Sequence, residues 1–360
     1  MVYEFTHDLM RLSIIFILIA FCFRAHCQEE IDIFIHSKKE KKDSIREARF
    51  HDFSDLLSIK LFGVGKTNLM AHYDGLTQQS VDYEPNENFN LGFGFTYHWL
   101  GLDLAFSLPY INNDDDKFGK TSRFDLQSNI YMESFVFDLN IQSYRGYYNS
   151  NPESYLPGYD PELEGYPIRP DIETNNLGLS AFYIFNHHKF SYRSAFTFNE
   201  RQMKSAGSFL LGTYISTFHM NADSTLIPSE LRNEFETGVD FRDVSNLSLG
   251  LSLGYAHTFI LWKHLYFSLT VATGFGPQAQ RRKATADLPE YRENSASIFA
   301  VTRIGLGHNG ETYFYGISAV NTFAGSQDEN QSALQRSVGN FKVFFGHRFN
   351  PPKFLKPKKN

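Results

Sequence analysis

Cysteine is nearly missing from this chain. Only Cys22 and Cys27 occur in 360 residues, and both sit in the first 27 positions. An exported chain that loses that stretch cannot be a disulfide scaffold, a thiol enzyme or a zinc-thiolate protein. A basic excess is missing too. Lys+Arg is 34 against 40 Asp+Glu, a formal net charge of −6, which excludes nucleic acid as a natural partner. Long apolar runs are scarce. The one such run, Leu12–Phe23 (LSIIFILIAFCF), falls short of the about 20 apolar residues a membrane-spanning helix needs. Aromatic residues, in contrast, are abundant: 36 Phe, 20 Tyr and 2 Trp make 16% of the chain. A charged fraction of 21% and a hydrophobic fraction of 42% exclude wholesale disorder. The length suits two average domains or one large β-barrel.

The apolar run follows Arg11 and precedes Ala25-His26-Cys27-Gln28, the plan of a secretory signal peptide cut before Gln28. Glu4 and Asp8 are out of place in the front region of such a peptide. They point to Met10 as the translation start, and an uncleaved precursor beginning at Met1 would exclude that. Loss of residues 1–27 removes Arg11 and Arg24 together with Glu4 and Asp8, so the net charge stays at −6. The expected organisation is a signal peptide (1–27), a charged periplasmic lead (28–52), a barrel (53–349) and a basic tail (350–360). Ser37–Arg49 has the mixed charge of a short helix, and the tail reads as a solubilising end.

The dominant pattern is alternation. Asn246–Phe259 reads NLSLGLSLGYAHTF, with Leu247, Leu249, Leu251, Leu253 and Tyr255 on one face and Asn246, Ser248, Gly250, Ser252 and Gly254 on the other. A period of two residues means a β-strand. The same pattern, cleaner in some places than others, marks Ser58–Tyr73, Asn88–Tyr97, Leu102–Leu108, Ser122–Met132, Ser134–Tyr144, Leu177–Phe185, Phe190–Phe198, Phe209–Phe218, Leu265–Thr273, Ser297–Leu306, Thr312–Asn321 and Phe341–Phe349.

Many alternating strands fit either a soluble barrel with its apolar face inside or a transmembrane barrel with that face toward lipid. Three features favour the second. The polar faces carry Gly, Ser and Asn with lone charges such as Asp125, Asp138, Arg193 and Arg303. The apolar faces end in aromatics, for which Tyr97, Tyr110, Tyr144, Tyr183 and Phe349 stand as girdle candidates. Short connections also alternate with long ones, as in outer-membrane barrels. The long ones are expected near Asp74–Glu87, Pro109–Thr121, Tyr148–Asn175, Gly276–Asn294 and Phe323–Leu334. Thirteen candidates do not fit the even strand number of a single-chain bacterial barrel. Orientations read from the two ends conflict between Glu200 and Val244, so the expected count is 12 or 14.

The chain also resembles a known group. FTYHWLGLDLAFSLP (Phe95–Pro109), NNDDDKFGKTSRFDLQ (Asn112–Gln127), YRGYY (Tyr144–Tyr148), RPDIETNNLGLSAFYIFNHHKFSYRSAF (Arg169–Phe196) and KSAGSFLLG (Lys204–Gly212) are similar to an uncharacterised Bacteroidota outer-membrane β-barrel family, the domain-of-unknown-function family 4421. The resemblance implies export to the outer membrane. It brings no activity, ligand or catalytic residue.

Several spellings invite functional readings. GVGKT at Gly63–Thr67 has Lys60 where a phosphate-binding loop needs its first Gly, and continues as a strand rather than a helix. GLSLG at Gly250–Gly254 matches a nucleophile elbow in letters only, because Ser252 lies in mid-strand. Asp114, Asp115 and Asp116 form a candidate Ca²⁺ cluster in an outer loop, against the plain alternative of a solvated Asx-rich turn. No other cofactor is expected. His187-His188 reads as a pair of solvated turn histidines, since neighbours on a strand point apart. Ser, His and Asp occur on several strands, yet no spacing singles out a triad.

The better candidates are lumen charges: Asp103, Arg123, Asp125, Asp138 and Arg193. Charged rings set solute selectivity in a pore. Paired charges can equally fill and close a lumen of this size. The Pro-rich stretch Asn149–Asn175 reads as a stiffened outer loop. The expected object is an all-β transmembrane antiparallel barrel, a small pore or a ligand-presenting scaffold. Its expected partners are outer-membrane lipid and the barrel-assembly machinery, with no nucleic acid and no specified solute. A membrane-embedded enzyme acting on lipid or envelope polymer, and a soluble exported barrel holding an apolar ligand, are the alternatives.

Overall fold

A computed structural model describes residues 43–87, 89–98, 100–107, 114–235, 240–283, 290–327 and 332–352. The expected signal peptide and nearly all of the basic tail lie outside the described residues. The chain divides into two compact units, residues 1–49 and 50–360. In the first, residues 43–47 are helical. The second is the barrel.

The facing of one strand settles which way the barrel is built. In β11 (Asp243–Trp262), Leu251 and Leu253 are 69% and 65% exposed, while Ser252 and Ser248 on the opposite face are 1% and 7% exposed. A soluble barrel would reverse those values. Neighbouring strands repeat the pattern, with Phe209, Leu211, Ile215, Val271, Phe275, Ile298, Val343 and Phe345 all outward. A continuous apolar exterior around a polar interior is the form in which strands cross a bilayer, because every backbone polar group finds its partner in the closed sheet. The soluble-barrel alternative is thereby overturned.

From β10 (Ala206–Asn221) through β11, β12 (Leu265–Lys283), β13 (Tyr291–Asn309), β14 (Tyr313–Gln327) and β15 (Ser332–Phe349), each strand pairs antiparallel with the next. β15 then pairs with β2 (Leu57–Asp74) from Phe349↔Leu57 to Ser332↔Asp74, which closes the sheet. On the other side, β10 pairs with β8 (Ile168–Ile184) and β8 with β7 (Phe135–Asn149). The short strand β3 (Ser80–Glu84) bridges the end of β2 to the end of β7 and completes a closed ring of ten. Beside that bridge, β4 (Asn90–Tyr97) pairs with the first half of β2, β5 (Leu100–Ser107) pairs with β4, and β6 (Ser122–Tyr131) pairs with β7. Among the described residues, the closed ring thus holds ten strands where 12 or 14 were expected, and β4, β5 and β6 stand beside it as additional strands.

Phe190–Phe198 is the strand that does not exist. The segment turns into the lumen, forms a short helix at Arg193–Phe196, and continues into β9 (Glu200–Gln202), which pairs with β1 (Phe50–Asp52) apart from the wall. Phe190, Ser191, Tyr192, Ala195 and Phe198 are all nearly fully buried. Both parities of the segment are covered, so it has no face to offer lipid. This plug, and not the stretch after Glu200, is the source of the odd strand number.

The wall strands from β7 onward are 15–20 residues long, against the about 9–11 needed to cross. They therefore run on past the bilayer. Much of the expected loops Gly276–Asn294 and Phe323–Leu334 is consequently strand. At the long-loop end, the connection after β10 folds inward. Leu226, Ile227, Leu231, Phe235 and Phe241 pack on Tyr83, Tyr147, Ile172 and Met220 in one buried cluster. The aromatic girdle at the short-turn end includes Tyr183, Phe185, Tyr255, Trp262, Tyr313 and Phe349. Tyr144 is not part of it: its ring is 0% exposed and points inward, as its even parity with Asp138 requires.

Candidate functional site in the lumen and barrel wall

The lumen charges are paired. On β7, Asp138 faces Arg303 of β13, with side chains 7% and 2% exposed. The carboxylate also accepts from Asn129 Nδ2 at 2.6 Å and Ser180 Oγ at 2.9 Å. The Arg303 guanidinium lies 5.8 Å from the Tyr131 ring and 5.9 Å from the Tyr192 ring. Tyr192 belongs to the plug, so this ion pair ties the plug to the wall. The remaining space beside Asp138 and Arg336 is a cavity of about 30 Å³, which is solvent-molecule scale.

Arg193 is a plug residue, not a wall residue. It sits 3.7 Å from Glu200 and 3.3 Å from Asn199 Oδ1, both within the plug. Arg348, at the end of β15, donates to Phe198 O and Asn309 Oδ1 at 2.6 and 2.7 Å. Arg201 reaches Glu311 in the β13–β14 turn at 2.9 Å. That hydrogen bond holds the Glu311 carboxyl below the usual carboxylate range. Burial, and then the nearby Arg201 charge, lower His264 in the adjoining turn.

Asp125 and Arg123, both on β6, join a second network. Asp125 pairs with Lys66 of β2 at 3.0 Å and accepts from the Tyr144 hydroxyl at 2.7 Å. The same hydroxyl lies 2.6 Å from Glu87 Oε1. Arg123 donates to Asn86 O at 3.0 Å and stands 3.9 Å from Glu87. Lys66 belongs to the GVGKT spelling, and its ion pair inside a strand leaves no phosphate loop there.

Asp103 on β5 pairs with Lys60 at 2.9 Å and with Lys342 at 3.5 Å. These three line a cavity of about 250 Å³ whose walls come from β2, β4, β5, β6, β14, β15 and the plug. Its floor is aromatic, with Phe62, Tyr131, Phe198 and Phe344. Among the described residues, no pairing joins β5 to β6. Leu102 on β5 and Leu126 on β6 both line the cavity and are each 44% exposed to the outside. The cavity therefore meets the lipid-facing surface along a seam in the wall. β3 closes that seam only toward the long-loop end. Lys60 and Lys342 were missed in the sequence, although their parity places both on the inner face.

The three aspartates do not gather as ligands. Asp115 and Asp116 begin a single-turn helix (Asp115–Phe118), and the Asn86 amide donates to Asp114 at 3.0 Å and to Asp115 at 3.3 Å. An Asx-rich turn held by an asparagine is what the geometry shows. His187 and His188 lie in a tight turn, as expected, but together rather than apart: their ring centroids are 3.8 Å from each other.

A family model described as a domain of unknown function (DUF4421) matches residues 51–349, which is the whole barrel. The chain belongs to this family. No curated protein matches it. Among solved structures, this DUF4421 member is similar to the outer membrane protease OmpT of Escherichia coli, at 8% identity and a TM-score of 0.35, covering 83% of this chain and 98% of that one. The translocator domain of the autotransporter NalP of Neisseria meningitidis gives 8% identity and a TM-score of 0.29, over 89% and 98% of the two chains. The toluene transporter TodX of Pseudomonas putida gives 9% and 0.21, over 83% and 91%. The function of this DUF4421 barrel has to be read from its own side chains.

Proposed function

We propose that the protein is a non-conducting outer-membrane barrel that receives the headgroup of an anionic amphiphile through the side of its wall, at the seam between β5 and β6. The observation that carries this reading is the seam cavity. It opens where the exterior is apolar, and it holds two ammonium groups against one carboxylate. One positive charge is left over beside an aromatic floor. Such a site suits a phosphate or carboxylate headgroup whose chain remains in the bilayer. The short turns and both ends of the barrel lie at one end, the periplasmic one in outer-membrane barrels. β5 pairs with β4, which pairs with the first half of β2, so on this reading the seam lies on the side of the inner leaflet.

A simple pore is the weaker reading, because the lumen is filled twice. The plug and the Asp138–Arg303 pair fill the short-turn half, and the inward-folded loop after β10 fills the other.

Native mass spectrometry of the detergent-folded protein with dodecyl phosphate, dodecyl trimethylammonium and dodecyl maltoside tests the proposal. One dodecyl phosphate should bind, at least tenfold more tightly than the other two, and Lys60→Ala with Lys342→Ala should abolish the preference. Equal retention of all three amphiphiles, or an unchanged preference in the double variant, would overturn it.

A further inference from the structure

Two turns at the short-turn end bring together three side chains that the lumen does not use. Glu133 sits in the turn between β6 and β7, and His187 and His188 sit in the turn that leads from β8 into the plug. One ligand atom from each lies within 4.8 Å of the other two. Glu133 Oε1 is 3.3 Å from His187 Nδ1.

We propose that Glu133, His187 and His188 form a binding site for a divalent transition ion of the zinc class. Adjacent histidines on an extended strand project to opposite sides. Here the backbone is wound instead: Lys189 N and Phe190 N both donate to Asn186 O, at 2.9 and 3.0 Å. That winding puts the two rings 3.8 Å apart at 46°. Two imidazoles held at that spacing beside a carboxylate are a ligand set. Two His and one Glu is a known zinc donor set that leaves the fourth position open.

The site is built into the wall. Phe135 and Tyr183, next to the two turns, are partners in the β7–β8 ladder, and Ile184 N donates to Ser134 O at 2.9 Å. Asn186, which opens the second turn, is fixed to β10 through Ser208 Oγ and Gly207 O, both at 2.8 Å. Only short side-chain movements separate the present spacing from the roughly 3.3 Å between donors that tetrahedral zinc bonds of about 2 Å imply. An exposed Glu133 can supply them. A bound ion would staple the end of β6, one lip of the seam, to the root of the plug.

The test is a titration of the untagged, folded full-length barrel with Zn²⁺, and with Co²⁺ as a spectroscopic stand-in. One equivalent should bind, and Co²⁺ should give the intense visible bands of a low-coordinate nitrogen–oxygen site. Glu133→Gln, His187→Ala and His188→Ala should each weaken binding at least tenfold. His219→Ala, on β10 and hydrogen-bonded to Ser245, should leave it unchanged. Glu133→Gln alters an exposed turn, so its fold should persist, as shown by the shift in gel mobility on heating. Wild-type affinity in that variant, or in either turn-histidine variant, would overturn the site.

Discussion

The two sides of this barrel are built to different standards. From β10 to β15 the wall is a run of hairpins, each in continuous or nearly continuous register with the next. From β3 to β6 it is a patchwork: a five-residue bridge, a hairpin of two eight-residue strands joined to β2 through β4 alone, and one strand hung from β7. The regular side needs nothing from the lumen to stay closed, since every strand there has two neighbours. The irregular side is completed by side chains. Asp103, Lys60, Lys342, Asp125 and Lys66 link its strands to each other and to β15 across the interior. Where the backbone ladder is interrupted, charge takes over the connection, and a ligand can compete with it.

The sharpest way to break the comparison is to empty the lumen. Replacing both fillings, residues 187–204 and the inward-folded connection 222–242, by short Gly-Ser linkers should turn a silent protein into a conducting one in a planar bilayer, because the regular wall holds the barrel open by itself. Conductance in the unaltered protein would show that the plug does not seal. Next in size is the buried pair. Asp138→Ala leaves the Arg303 guanidinium buried without its carboxylate, a loss of about 3–5 kcal/mol. Asp103→Ala at the partly exposed seam should cost about 1 kcal/mol or less. Urea unfolding of the two variants measures both, and equal losses would erase the distinction between core and seam.

Amide exchange sharpens the same contrast locally. Among the described residues, β5 and β6 each have a ladder neighbour on one side only, which leaves alternate amides facing the seam, while β12 is flanked on both sides. The seam amides should exchange orders of magnitude faster than those of β12, and bound dodecyl phosphate should slow the seam alone. Uniform protection around the barrel would mean that the wall is continuous.

The regular side was legible in the sequence because alternation there is unbroken. Leu247 to Leu253 against Ser248 and Ser252 gives both strand and facing, and the structure only had to decide inside from outside. Parity carried more than was taken from it. Tyr144 shares the parity of Asp138 and turns inward, and Lys60 and Lys342 share the parity of the inner face. The plug was illegible for a physical reason. Phe190–Phe198 alternates well enough to pass for a strand, yet both of its faces are buried, one against the wall and one within the plug. Period two cannot distinguish lipid from protein as the covering. Of the five lumen charges, four lie on wall strands as read. The seam cavity, which Asp103 borders together with Lys60 and Lys342, depends on which strands fail to pair, and no spacing in the chain states that. The turn histidines were read by a strand rule that a wound backbone does not obey.

The smallest effect concerns the clasp between plug and wall. Arg201 holds Glu311 by a hydrogen bond, and the carboxyl is correspondingly lowered from its ordinary value of 4.5. A lowered folded value means that the bond adds stability above pH 4.5 and loses it as the pH falls through the lowered value. Solvent screens the contribution, because the Glu311 side chain is 62% exposed. Glu311→Gln should therefore narrow the stability gap between pH 7 and pH 3 slightly, with the variant and the parent converging at the acid end. The measurement is the melting temperature at both pH values. A gap that stays the same width in the variant would mean that the Arg201–Glu311 bond adds no acid-sensitive clasp between the plug and the regular side of the barrel, and that the plug is held by contacts such as those of Arg348 and Asn309.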